Sequence, residues 1–276
     1  MDVKSTIDKT TVKKIFSIPQ AKEYLKQLGK DNVKTKEVLE KVVSTWKYPK
    51  SLKLIRAMFF DTDKYREGKA AGGRYQELLR EWDINKLGPI KWPCAQGQFE
   101  TIVQEINNRE ISSIEKDEEV ELKAIQYRRM KELNTARNDF LEIKMFEENQ
   151  NLLPTLIHRR NVDYFINGES FDQKVSASPT KQFKEKYGDN WKTRAKEHPE
   201  EVAQFLYKYQ SEERFDAGNR LLIVYLDDNI PLSKIEETIK ASRFNSPIIV
   251  PFDFEHKKAG TKHYSAKCFV ILLSNS

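Results

Sequence analysis

The stretch Asn161 to Ala177, NVDYFINGESFDQKVSA, decides how the rest of the chain is read. Two β-prone runs, Asn161 to Ile166 and Ser170 to Ala177, flank Asn167-Gly168, the dipeptide that most favours a tight turn with positive φ at both central residues. The pattern predicts a β-hairpin. Side chains alternate faces along a strand, so Val162, Tyr164 and Ile166 share one face, and Asp163 and Phe165 the other. On the second strand Phe171 and Val175 point to the apolar side, with Asp172, Lys174 and Ser176 opposite. If Asn167 and Gly168 form the loop, Ile166 pairs with Glu169 and Asp163 falls opposite Asp172. Moving the loop to Gly168-Glu169 sets Asp163 opposite Lys174. Either register gathers two carboxylates and an amine on one face.

Directly opposed residues have Cβ atoms roughly 5 Å apart, where like charges repel. Two carboxylates so placed call for a cation between them, or for a proton held by one of them at a raised pKa. Lys174 brings one positive charge, and a hard divalent metal would bring more. Mg²⁺ takes one or two carboxylates and keeps several waters, leaving positions for phosphate oxygens. The bland alternative is a solvated hairpin face whose ion pair contributes about 0–1 kcal/mol.

Asp163 followed by Asp172-x-Lys174 on the next strand resembles the PD-(D/E)XK nuclease superfamily, with Val162 standing where the family name has proline. The resemblance implies a restriction-endonuclease-like core and a metal held by Asp163 and Asp172, with the Gln173 carbonyl as a further ligand. It casts Lys174 as the catalytic lysine that orients the attacking water. Related nucleases often carry a third acid on the preceding helix, and Glu142 in FLEIKMFEEN is the best placed candidate. Some branches also present a glutamine or arginine on the following helix, the place of Gln210 and Arg214 here.

Charged residues make up 33% of the 276-residue chain and the net charge is +6, a balance that suits a polyanionic partner. Cys94 and Cys268 lie far apart without CxxC spacing, and the four histidines are scattered, so neither a disulfide framework nor a zinc site is indicated. No apolar run is long enough to span a bilayer and the N-terminus lacks a signal-peptide core, which makes the cytoplasm the expected location.

The first hundred residues read as mainly helical. Ile18-Pro19 opens a helix with Ala21, Tyr24 and Leu25 at helical spacing, and Gly29 stops it. Val38 to Val43 marks another amphipathic stretch, while Leu52 to Phe60 fits either helix or buried strand. Lys64 to Arg74 reads as a basic, glycine-containing loop before a helix from Tyr75 to Trp82. Leu87-Gly88-Pro89 and Trp92-Pro93 make the clearest break, and a boundary near Gly97 divides a helical region 1–97 from a nuclease-like domain 98–276. Two long helices are expected from Phe99 onward and over Glu118 to Glu148.

Pro179 to Glu197 interleaves Lys181, Lys184, Lys192 and Arg194 with Tyr187 and Trp191, a combination suited to a phosphate backbone. Arg214 joins that set. A helix from Pro199 runs to about Phe215, Arg220 to Leu226 reads as a central strand buried on both faces, and Pro231 begins another helix. Ile248 to Pro251 and Cys268 to Leu273 are further strands. The expected fold is α/β, a mixed sheet flanked by helices, with the resemblance covering about Asp139 to Leu226.

The leading expectation is a Mg²⁺-dependent endonuclease acting on double-stranded DNA, with Mn²⁺ as a substitute metal and a restriction or phage-defence setting. Two-fold symmetric cutting would call for a homodimer. The alternatives are a structure-specific repair or recombination nuclease and a non-catalytic DNA-binding protein.

Overall fold

The computed structural model describes residues 3–87, 96–159, 161–210 and 218–275. The break at residues 88–95, Cys94 and Arg214 lie outside them. The fold is mixed α/β with a helical N-terminal region. Its helices there are α1 (Lys9–Ile15), α2 (Ile18–Gln27), α3 (Val38–Thr45), α4 (Tyr48–Phe60), α5 (Asp63–Ile84), α6 (Gln96–Asn107) and α7 (Ser113–Glu148). Strands β1 (Leu153–Arg159), β2 (Val162–Ile166) and β3 (Glu169–Ser176) follow. Next come helices α8 (Lys181–Tyr187), α9 (Trp191–Glu197) and α10 (Pro199–Lys208), strand β4 (Arg220–Tyr225), helix α11 (Leu232–Ala241), and strands β5 (Ile248–His256) and β6 (Gly260–Leu273).

Local chemistry sets the helix starts. Ser17 and Gln20 form a reciprocal capping box, with Pro19 in the first turn of α2, and Gly29 leaves the helix at φ +71°. Ser112 and Glu115 cap α7 in the same way: the Ser112 N–H donates to Glu115 Oε2 at 2.9 Å and the Glu115 N–H to Ser112 Oγ at 3.2 Å. The ambiguous run Leu52 to Phe60 is helical, inside α4.

The chain divides into two compact units, Met1–Lys64 with Lys144–Ser276, and Tyr65–Ile143. In the second, the expected loop before Tyr75 is instead continuous helix, because Gly68 and Gly72 sit on the packed face of α5. A Cβ at Gly68 would stand 2.4 Å from Ile143 Cγ1, and one at Gly72 would stand 2.9 Å from Phe140 Cδ2. Glycine here permits close helix packing and does not mark a turn. Arg74 and Arg129 add ion pairs to Glu132 and Glu81.

The first unit holds a six-stranded sheet in the order β1-β2-β3-β4-β6-β5. β1, β2 and β3 form an antiparallel meander, β4 runs parallel to both β3 and β6, and β5 pairs antiparallel with β6. RLLIVY in β4 is buried at every position, as a strand flanked on two edges and covered on two faces must be. On one face Phe146 packs between Phe59 and Tyr164, at ring centroid distances of 4.5 and 4.9 Å, while Phe269 meets Phe171 and Phe244. On the other, Leu222, Val224 and Cys268 pack with Phe183, Ala195, Val202 and Tyr207 of α8 to α10.

Candidate functional site: an acid pair on the β2–β3 hairpin

The hairpin forms in the first of the two registers. Ile166 pairs with Glu169 and Tyr164 with Phe171, and Asn167 and Gly168 take φ of 52° and 90°. Counting on from Tyr164 and Phe171, Asp163 lies opposite Asp172. There the Gln173 N–H donates to Asp163 Oδ2 at 2.6 Å, so the first acid is held by the backbone of the second strand. The turn is fastened as well: Asn167 Nδ2 donates to the carbonyls of Phe244 and Asn245, and Lys4 Nζ donates to Asn167 Oδ1.

Asp172 is 7% exposed. Its N–H donates to the Asn219 carbonyl at 3.1 Å, which fixes β3 against the entry to β4. Lys174 Nζ lies 2.7 Å from Asp172 Oδ2, and its side chain is 51% exposed against 10% for the acid. The pair therefore has an inside and an outside: a nearly buried carboxylate with an amine reaching toward water. On the same two strands Val162, Tyr164, Phe165, Ile166 and Phe171 are buried, while Asp163 and Ser176 are half-buried and Lys174 is exposed. The covering helices and the flanking strands β1 and β4 account for the burial.

Arg220 is the residue that sequence reasoning passed over. It pairs in register with Asp172 across β3 and β4, and register partners in a sheet share a face. It is 5% exposed, its guanidinium stands 4.7 Å from the centre of the Tyr207 ring, and Nη2 donates to Gln210 Oε1 at 2.8 Å. Gln210 in turn donates to the Tyr207 carbonyl at 2.9 Å. So Gln210 reaches the acid-bearing face by way of Arg220. The available signal was an arginine opening an otherwise apolar strand.

The basic flank is more engaged than its sequence suggests. Lys192 pairs with Asp227, and Lys184 and Lys192 stand 4.9 and 5.5 Å from the Trp191 ring centre. Lys181 lies 3.4 Å from Glu185 on an exposed surface. Arg194 bonds Glu201, which also accepts from the Tyr187 hydroxyl. Glu142 belongs to the second unit, one residue before its end at Ile143.

Hydrogen bonds from Arg194 and then Tyr187 hold the Glu201 carboxyl down to about 2, against an ordinary 4.5. A carboxyl depressed in the folded state stabilises the fold above its unfolded value and loses that contribution as pH falls through the folded one. The urea midpoint of the native chain should drop as pH is lowered from about 4.5 toward 2. Glu201→Gln should start lower and lose less over the same window. Equal slopes for the two proteins would show that the cluster carries no linkage.

Among the described residues, no group of three or more His, Cys, Asp or Glu side chains is placed to hold a metal ion. The donors that the resemblance implies at the hairpin, two carboxylates and the Gln173 carbonyl, are all hard oxygen. Such a set fits Mg²⁺, which completes its octahedron with water and phosphate oxygens, better than it fits a metal needing a protein cage. The buried Cys268 takes no part, since burial pushes its thiol up to about 12 and leaves it protonated. No helix among the described residues is long and apolar enough to cross a membrane. Comparison of the chain with models of protein families, with characterised proteins and with solved structures finds no match to any of them.

Proposed function

We propose that the chain is a Mg²⁺-dependent endonuclease that hydrolyses phosphodiester bonds of double-stranded DNA, with a restriction-endonuclease-like core. One observation carries the reading: a nearly buried aspartate, Asp172, joined to Lys174 two residues on, with Asp163 held across the strand pair by the Gln173 N–H. Burying a carboxylate costs free energy that a bare structural role would avoid. Around it, a helix and an antiparallel meander are followed by helices and a parallel central strand, the order implied by the PD-(D/E)XK resemblance.

The residues divide the work by position. Asp163 and Asp172 present oxygen toward a cation that, when bound, would polarise the scissile phosphate and lower the pKa of a water. Lys174, half in solvent, holds and orients that water through its ammonium. Gln210 and Tyr207 fix the Arg220 guanidinium on the same face, where its charge favours a phosphate that gains negative charge on attack. Base readout and two-fold cutting by a homodimer are further parts of this proposal.

Supercoiled plasmid and phage DNA incubated with Mg²⁺ or with EDTA test the reading. Nicked, linear or discrete products that appear with Mg²⁺ and disappear with EDTA are expected. Salt-sensitive binding with intact DNA under Mg²⁺ and Mn²⁺ alike would replace this reading with that of a non-catalytic DNA-binding protein.

A further inference from the structure

The β5–β6 hairpin is far longer than the sheet needs. β4 meets β6 from Arg220↔Cys268 onward, whereas β5 and β6 pair from Ile248↔Cys268 out to His256↔Gly260. Eight rungs therefore project past the level of Arg220, which is also the level of Asp172 on β3. At about 3.4 Å per residue the ribbon extends about 27 Å along its strands.

Its inner part is fixed to the body. Val250, Phe252 and Phe254 belong to the core beneath α10, with the Phe252 ring stacked on Tyr207 at 4.8 Å and on Tyr264 at 5.6 Å. Tyr207 is the residue that also carries Arg220, so the ribbon and the acid-bearing face share one support. The outer end, His256 to Lys262, reads HKKAGTK: three lysines and no acid. Lys257, Lys258 and Lys262 are exposed, and Gly260 turns the chain at φ +67°. Two acids accompany them in the ladder, Asp253 one rung inside Lys262 and Glu255 one rung outside it. Asp253 is bonded by His263, and Glu255 faces Thr261.

We infer that this ribbon is a duplex-binding arm that enters the major groove and places Lys257, Lys258 and Lys262 on the phosphates that border it. The inference rests on the nuclease reading for its choice of nucleic acid as partner. A two-stranded β-ribbon is one of the two elements that the major groove admits, and lysines at its tip supply sequence-independent affinity. Combining the projection with three strand spacings of about 4.8 Å sets the tip about 30 Å from the acid pair, just under one helical turn of DNA. The arm thus grips the duplex about eight to ten base pairs to one side of the scissile bond.

Fluorescence anisotropy with a labelled mixed-sequence duplex of about thirty base pairs, three helical turns, measured in EDTA, tests this. The native chain is compared with Lys257→Ala/Lys258→Ala/Lys262→Ala, with the matching triple Arg variant, and with Asp172→Asn. Between about 50 and 200 mM salt, the Ala variant should bind at least about tenfold more weakly and lose about 2.7 from its salt slope. The Arg variant should restore both, which separates a charge effect from misfolding. Native affinity and slope in the Ala variant would overturn the arm and leave the nuclease reading standing, as would a loss that arginine does not restore. A weakened Ala variant beside a native chain that leaves plasmid DNA intact under Mg²⁺ and Mn²⁺ would support the arm and remove the nuclease reading. Absence of duplex binding by the native chain would end both.

Discussion

Asp172→Asn is expected to lower Mg²⁺-dependent cleavage by about 10²–10⁴-fold while leaving duplex binding in EDTA within a few-fold of native. The substitution keeps shape and removes charge. The backbone bond from Asp172 to the Asn219 carbonyl survives it, as does the register of the hairpin turn. Stability should shift by no more than about 1 kcal/mol, since the partner Lys174 is half exposed and such a pair is screened by solvent. Lys174→Met should reduce cleavage on a similar scale, and the double variant should be little worse than either single one, because groups that act as a unit lose their effect together. Initial rates on plasmid, with thermal melts as a folding control, decide the matter. A fully active Asp172→Asn protein would show that the hairpin is not the reacting centre.

Phe146→Ala is the largest stability effect expected, about 3–5 kcal/mol. Phe146 has no exposed surface and fills the space between Phe59 and Tyr164. Removing its ring leaves a cavity under the hairpin, and the loss extends to the site. Tyr164 donates its hydroxyl to the Gln173 side chain, and the Gln173 backbone holds Asp163. A Tyr164 that tips into the cavity releases that chain of contacts, so activity should fall even where the variant remains folded. Phe146→Leu preserves most of the volume and should cost under about 1.5 kcal/mol. Urea denaturation of the three proteins reads the difference, and a Phe146→Ala cost below 1 kcal/mol would contradict a close-packed contact here.

The hairpin was legible because its information is local: Asn167-Gly168 dictates the turn, and the turn dictates which residues oppose. The helix starts at Ile18 and the buried strand from Arg220 were readable for the same reason. What stayed hidden depends on partners distant in sequence. β1 carries Pro154, which reads as a break, and it pairs antiparallel with β2 through Pro154↔Tyr164. Gly68 and Gly72 look like a loop until Ile143 and Phe140 are seen against them. The ribbon was truncated in the reading because its tip is charged, although Phe252 and Phe254 alternate with Asp253 and Glu255 at strand period. Arg220 joins Asp172 through a pairing of strands separated by three helices. No local pattern encodes that.

The order of the strands also governs when this protein can become itself. β4, buried at every position, is paired in parallel on both sides, and its second partner is β6, which follows it by more than thirty residues. Parallel neighbours across long connections are slow to meet, because the loop entropy is lost before the contacts form. While the polypeptide is being synthesised, RLLIVY waits with one bare edge until Cys268 to Leu273 have emerged. An unpaired apolar edge is what invites association with another chain. Newly made protein is therefore vulnerable until Cys268 to Leu273 have paired with β4, and the meander that carries the acid pair precedes the closing of the sheet that supports it.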